Sequence, residues 1–148
     1  MAATTIKTDP RHLYRKLNIL VKVGIILMES AADSNRIIRN MRRVAAFLGL
    51  DNDNLHIDIL YGTVKVSYCD ETHSFSRFVH SDKYTINMKV LADVSQLSWK
   101  AIREDESIKS FERKLNAPTL TQPDYPALVV TLGAALGCGG FAVLFGGD

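Results

Sequence analysis

Leu55-His56-Ile57-Asp58-Ile59-Leu60-Tyr61-Gly62-Thr63-Val64-Lys65-Val66-Ser67-Tyr68 is the stretch that separates an α+β chain from an all-helical one. Leu55, Ile57, Ile59 and Tyr61 alternate with His56, Asp58 and Leu60. Val64, Val66 and Tyr68 alternate with Lys65 and Ser67. Side chains along a strand point to opposite faces in turn, so a period of two predicts two strands, each with one buried face. Gly62 between them predicts a tight antiparallel hairpin. Cys69–His73 is polar and turn-like, and Ser74–His80 predicts a third strand carrying Phe75, Phe78 and Val79. Its alternation is poorer, because Arg77 falls on the side of Phe75 and Val79.

Before this stretch the period is helical. After a short polar terminus that ends at Asp9 and is expected to fray, Pro10 opens a pattern in which Leu13, Leu17, Leu20, Val21, Gly24, Ile25 and Met28 recur at helical spacing. Ile19, Val23, Ile26 and Leu27 widen the stripe nearly all round, which predicts a largely buried helix. Asn18 and Lys22 interrupt it, so a core helix fits better than a cleaved signal. Asp33 or Ser34 can cap a second helix, whose apolar face is Ile37, Met41, Val44, Ala45 and Leu48. Arg36, Arg39, Arg42 and Arg43 cover the rest, and Gly49 suits its end.

After the strands, Thr85 to Arg103 predicts a third helix with a stripe of Val90, Leu91, Val94, Leu97, Ser98, Ala101 and Ile102, and Trp99 is expected in the core. Asp105–Leu115 suits a short charged helix. The fold expected is α+β: a small antiparallel sheet of about three strands packed with three to four helices. The domain occupies residues 1–116, and a proline-rich linker follows at 117–125.

Residues 126–147 form the last unit. No residue from Tyr125 to Gly147 is charged. A helix of that length is about 33 Å long against roughly 30 Å for a bilayer core, so a transmembrane helix is expected. Pro126 suits its first turn and Tyr125 suits the interface. Lys109, Arg113 and Lys114 just upstream favour a cytoplasmic soluble part. Gly133 and Gly137 form a small-xxx-small pair at which helices can pack. An isolated span gains little from such a face, which suggests further membrane helices, in cis or from a partner subunit, and an oligomer.

The 148 residues carry a formal net charge of +2, too small a basic excess for a nucleic-acid partner. Two cysteines, Cys69 and Cys138, one of them inside the apolar run, make no disulfide framework. His56, His73 and His80, with Asp70 and Glu71, match no zinc spacing, and no nucleophile-elbow motif occurs. No metal site, cofactor or catalytic residue is therefore assigned.

Glu29-Ser30-Ala31-Ala32-Asp33-Ser34-Asn35-Arg36-Ile37, followed by Met41 and Gly49-Leu50, resembles the pattern ESGAETxRV…M…GL. That pattern belongs to the amino-terminal domain of the bacterial threonine/serine exporter family. Pro123, Tyr125 and Pro126, then Phe141-Ala142-Val143-Leu144-Phe145-Gly146-Gly147, resemble that family's first membrane helix, which closes in LFGG. The order of elements matches from about His12 onward. Three positions depart: Ala31 stands for the glycine, Ser34 for the threonine and Ile38 for an acidic residue. Family members continue through further membrane helices, so the resemblance implies a fragment or a split gene product.

The resemblance implies an exporter of threonine and serine in the bacterial inner membrane, with a cytoplasmic domain that gates, regulates or assembles the membrane part. Ser30, Asp33, Ser34 and Arg36 lie on the shared motif. They suit helix capping, and they also suit a seat for an amino-acid carboxylate or amine at a helix start. Two alternatives stay open: a membrane-tethered hydrolase-like domain, and an assembly subunit of a split small-carboxylate exporter.

Overall fold

The computed structural model describes residues 9–120 and 126–146. The polar terminus before Asp9, the stretch 121–125 with Tyr125, and Gly147 lie outside the described residues. Helix α1 (Pro10–Glu29) is followed by α2 (Ser34–Phe47), strands β1 (Leu55–Leu60), β2 (Thr63–Cys69) and β3 (Ser74–His80), then α3 (Met88–Arg103), α4 (Ile108–Leu115) and α5 (Ala127–Leu144). The sheet is antiparallel in the order β1-β2-β3. The α+β reading of the sequence holds, with a carboxy-terminal apolar helix long enough to cross a membrane.

Helix α1 is the centre of the domain. It packs against α2 and α3 and against β2 and β3, and nine of its residues are buried, from Leu13 to Leu27. Gly24 lets the neighbours come close: a Cβ there would lie 2.7 Å from Met41 Sδ and 2.8 Å from Val64 Cγ1. The strand register follows the alternation. Leu55 faces Tyr68, Ile57 faces Val66 and Ile59 faces Val64 across the first ladder. Gly62 sits at φ 69°, a conformation that costs glycine little.

Arg77 pairs with Val66 in register. Its guanidinium donates to Tyr14 Oη of α1 at 3.0 Å. The uneven alternation of β3 thus reflects an edge strand whose basic residue is anchored to α1.

Three expectations are corrected. Helix α3 begins at Met88, three residues later than Thr85. The Thr85 N–H is committed to Glu29 O at 2.7 Å, and Asn87 caps the helix by accepting from Val90 N. Trp99 is not core: it is 49% exposed. The space between α2 and α3 is taken instead by buried Ser98 and Asn40, bonded to each other at 3.2 Å. Ile102, expected in the same stripe, is exposed as well.

Helix α4 buries Phe111 and Leu115, with Phe111 against Phe47 at 5.3 Å between ring centres. Arg15 Nε donates to Glu112 Oε2 at 3.1 Å, tying α4 to α1. Pro118–Leu120, the start of the expected linker, forms a 3₁₀ turn against α3 with Leu120 buried. No residue of α5 is buried.

Candidate functional site

The Glu29–Arg36 motif forms the joint between α1 and α2. At the end of α1, Ala31 N donates to Met28 O and Ala32 N to Leu27 O, both at 3.1 Å. That double bond pattern requires a left-handed residue in the middle, a position glycine usually holds. Here it is Ala31, at φ 63°. Gly49 holds the equivalent position after α2, with bonds from Gly49 N to Ala46 O and from Leu50 N to Ala45 O.

The four motif residues do not converge on one ligand. Ser30 is buried and donates to Ile26 O at 2.8 Å. Asp33 caps α2 by accepting from Arg36 N at 2.9 Å. The Arg36 carbonyl accepts from the Asn40 side-chain amide at 2.9 Å. Ser34 alone lines an open cleft of about 380 Å³, with Met28, Ile59, Tyr61, Asp82, Lys83 and Tyr84 among its walls. Ser30 edges a separate depression of about 330 Å³ with Glu29, Lys83 and Asn87. Lys83 borders both.

Two of these walls were not legible as site residues. Asp82 and Lys83 belong to the segment between β3 and α3, which has neither helical nor strand periodicity. The Ser81 hydroxyl donates to the Glu29 carboxylate, and Thr85 N to Glu29 O, which lays the segment across the end of α1. Glu29 opens the motif, and its role as the anchor for this strap was not read from the sequence.

The three histidines are apart. His56 is exposed on β1. His73 closes the β2–β3 turn, where the Asp70 carboxylate accepts from Thr72 N, Thr72 Oγ1 and His73 N at 2.7–2.9 Å. The Thr72 backbone and hydroxyl bonds hold the Asp70 carboxyl below the usual carboxylate range. His80 has the more organised surroundings: Thr63 Oγ1 lies 2.9 Å from Nδ1 and Asp82 Oδ1 2.9 Å from Nε2. With the ring proton on Nε2, Nδ1 accepts from the threonine hydroxyl. That aligns a hydroxyl, a base and an orienting carboxylate beside the Ser34 cleft. Among the described residues no group of three or more metal-ligating side chains occurs. Cys69 and Cys138 are both free.

Helix α5 has a different character. Its 18 residues carry no charge and none is buried. A Cβ placed on Gly133 or Gly137 would meet nothing within 4 Å. Thr131 satisfies its hydroxyl within the helix by donating to Ala127 O at 2.8 Å, as an apolar surrounding requires. Such a surface is costly in water and favourable in lipid.

Residues 18–148 match the model of a family described as "Putative threonine/serine exporter", a span that runs from within α1 through α5. The chain belongs to that family. The comparisons with curated proteins and with solved structures returned no match. In this exporter-family chain the α1–α2 joint, the cleft beside it and α5 all fall inside the matched span. Membership assigns the chain to a transporter family rather than to an enzyme family, and α5 is in keeping with a bilayer as its surroundings.

Proposed function

We propose that the chain contributes its α+β domain and helix α5 to a transporter that exports threonine and serine across the bacterial inner membrane. The domain lies on the cytoplasmic side, where it gates, regulates or assembles the membrane part. The observation that carries this reading is an uncharged, wholly unburied membrane-length helix on a chain of this family. Lys109, Arg113 and Lys114 ahead of α5 support the cytoplasmic side. One uncharged helix does not enclose a path for a polar solute, so further helices, in cis or from a partner subunit, complete it. Gly133 and Gly137 offer the face on which they pack.

Within this reading Ser34 is the motif residue that faces the amino acid. Ser30, Asp33 and Arg36 hold the joint that presents it. The zwitterion's amine and carboxylate find Asp82 and Lys83 on the same cleft.

The test uses cells loaded with labelled threonine or serine. Expression of the full-length protein should accelerate loss of label, and Leu136→Asp should abolish the gain. Movement of a dicarboxylate but of neither amino acid would overturn the substrate and keep the transporter. No movement of any of these solutes would overturn the transport reading.

The Thr63–His80–Asp82 alignment favours a second reading, a membrane-tethered hydrolase acting on small esters or peptides. It predicts ester or peptide turnover by the purified chain that is lost in both Thr63→Val and His80→Ala. Equal turnover in those variants and the parent would remove it.

A further inference from the structure

Helices α2 and α3 pack against each other and bring basic side chains to Trp99. Helix α2 contains Arg36, Arg39, Arg42 and Arg43 and no Asp or Glu. Arg43 lies over the Trp99 ring at 3.8 Å from its centre, and Arg103 lies 5.9 Å from the same centre. Arg43 also donates to Asn40 Oδ1 at 3.0 Å and to Ser98 Oγ at 3.2 Å, which fixes its guanidinium in place. Among the described residues the ion pairs on α3 are Lys89–Asp93 and Lys100–Glu104, and none of these five arginines takes part in an ion pair. Burial and the neighbouring Arg39 both act against the charge on Arg43. Arg43 and Arg103 thus flank a half-exposed indole, with Arg39 close enough to act on Arg43, and none of the three is ion-paired among the described residues. An anion supplied from outside would offset the repulsion between these like charges.

We propose that the arginine-framed Trp99 face of α2 and α3 docks on the anionic phospholipid headgroups of the bilayer that α5 crosses. Three observations select lipid over other anionic partners. Six residue steps separate buried Leu120 from Pro126, and even fully extended they reach only about 21 Å. A membrane-inserted α5 thus holds the domain close to a headgroup layer at all times. Guanidinium groups pair with phosphate oxygens, and tryptophan favours the depth at which headgroups meet acyl chains. The net charge of +2 is too low for a nucleic-acid surface. The proposal rests on α5 lying in a bilayer and not on what is transported.

Trp99 is the chain's single tryptophan, so its fluorescence reports this face without labelling. The full chain is reconstituted in vesicles of brominated phosphatidylcholine, with and without phosphatidylglycerol. Insertion of α5 is checked separately by resistance to alkaline extraction. With the anionic lipid, Trp99 should be quenched by bromine and blue-shifted. High salt should reverse both changes, because exposed charge interactions are screened. Arg39→Ala should weaken docking about fivefold, the effect of one basic residue near an anionic leaflet. Arg39→Glu with Arg42→Glu should return the signal to the neutral-lipid level. Equal quenching in neutral and anionic vesicles, or quenching insensitive to salt and to the double variant, overturns the proposal. So does a Trp99 shielded from acrylamide in every vesicle yet never reached by bromine, which would place a second copy of the chain on this face. Extractable protein would instead indict the membrane placement of α5.

Discussion

Helices α1 and α5 are alike in length, 20 and 18 residues, and both carry long apolar runs, but the chain uses them in opposite ways. In α1 the apolar residues share the helix with Arg15, Asn18 and Lys22, and Leu20, Val23 and Leu27 are fully buried. In α5 no polar face exists, and Leu136 and Leu144 are among its most exposed residues. The lesson is that a long apolar stretch does not by itself indicate a core or a membrane. A few polar residues on one flank orient α1 toward a partner surface. Helix α5 has no such flank and none of its residues is buried, which is in keeping with lipid as its surroundings.

The comparison can be broken by trimming one leucine in each helix. Leu20→Ala should destabilise the domain by about 2–5 kcal/mol, from lost burial plus a cavity. Leu136→Ala should leave the domain's urea midpoint in detergent unchanged. Similar losses in the two would mean that α5 packs on the domain. A charge separates the helices in the other direction. Leu136→Asp should cost roughly 2.5–3.5 kcal/mol of membrane insertion, read as protein released by alkaline extraction, while the domain melts as before.

Glycines sharpen the contrast. Gly24→Val should cost about 1–3 kcal/mol, because the new side chain meets Met41 and Val64. Gly137→Val has open space around it. Its effect should appear only as weaker association between membrane helices, measured by crosslinking. At the end of α1, Ala31→Gly should raise stability by about 1 kcal/mol, since glycine adopts φ 63° without the Cβ clash. An unchanged or lower melting temperature would count against this account of the joint.

The smallest effect concerns pH. The Lys114 ammonium and the Ser110 hydroxyl hold the Glu106 carboxyl below its ordinary value of 4.5, against an opposing contribution from burial. A depressed carboxylate stabilises the folded state above its unfolded value and loses that contribution as pH falls through the folded one. Thermal melts of the parent should therefore weaken below about pH 4.5. Glu106→Gln should flatten that part of the profile, and Leu20→Ala should shift the whole profile without changing its slope.

Most of the fold was legible because periodicity carries it. The hairpin, the central helix and α5 each repeat one pattern for long enough to be unambiguous. The α3 start was misplaced because Ile86 lies one helical turn before Val90, while the bond from Thr85 N to Glu29 O ties that segment to the end of α1 instead. Trp99 was misplaced because hydrophobic size argues for the core, whereas the slot between α2 and α3 is polar and the ring is covered by Arg43 instead. The site was less legible. Ser30 and Asp33 were visible as motif residues, and capping chemistry is what they perform. The cleft walls Asp82 and Lys83 and the Thr63–His80–Asp82 alignment come from residues far apart in sequence or lacking any pattern.

Local periodicity and the free energy of transfer from water belong to the chain alone, and they set which segments are helical, which are strands and which one is long and apolar enough to cross a membrane. The sequence also carried the family motif and the departure at Ala31. Which polar side chains are spent on caps, which one faces a cleft, and which arginines lie against Trp99 emerge only in the folded chain. Those outcomes depend on contacts between residues tens of positions apart, and no local pattern encodes which neighbour fills a given space.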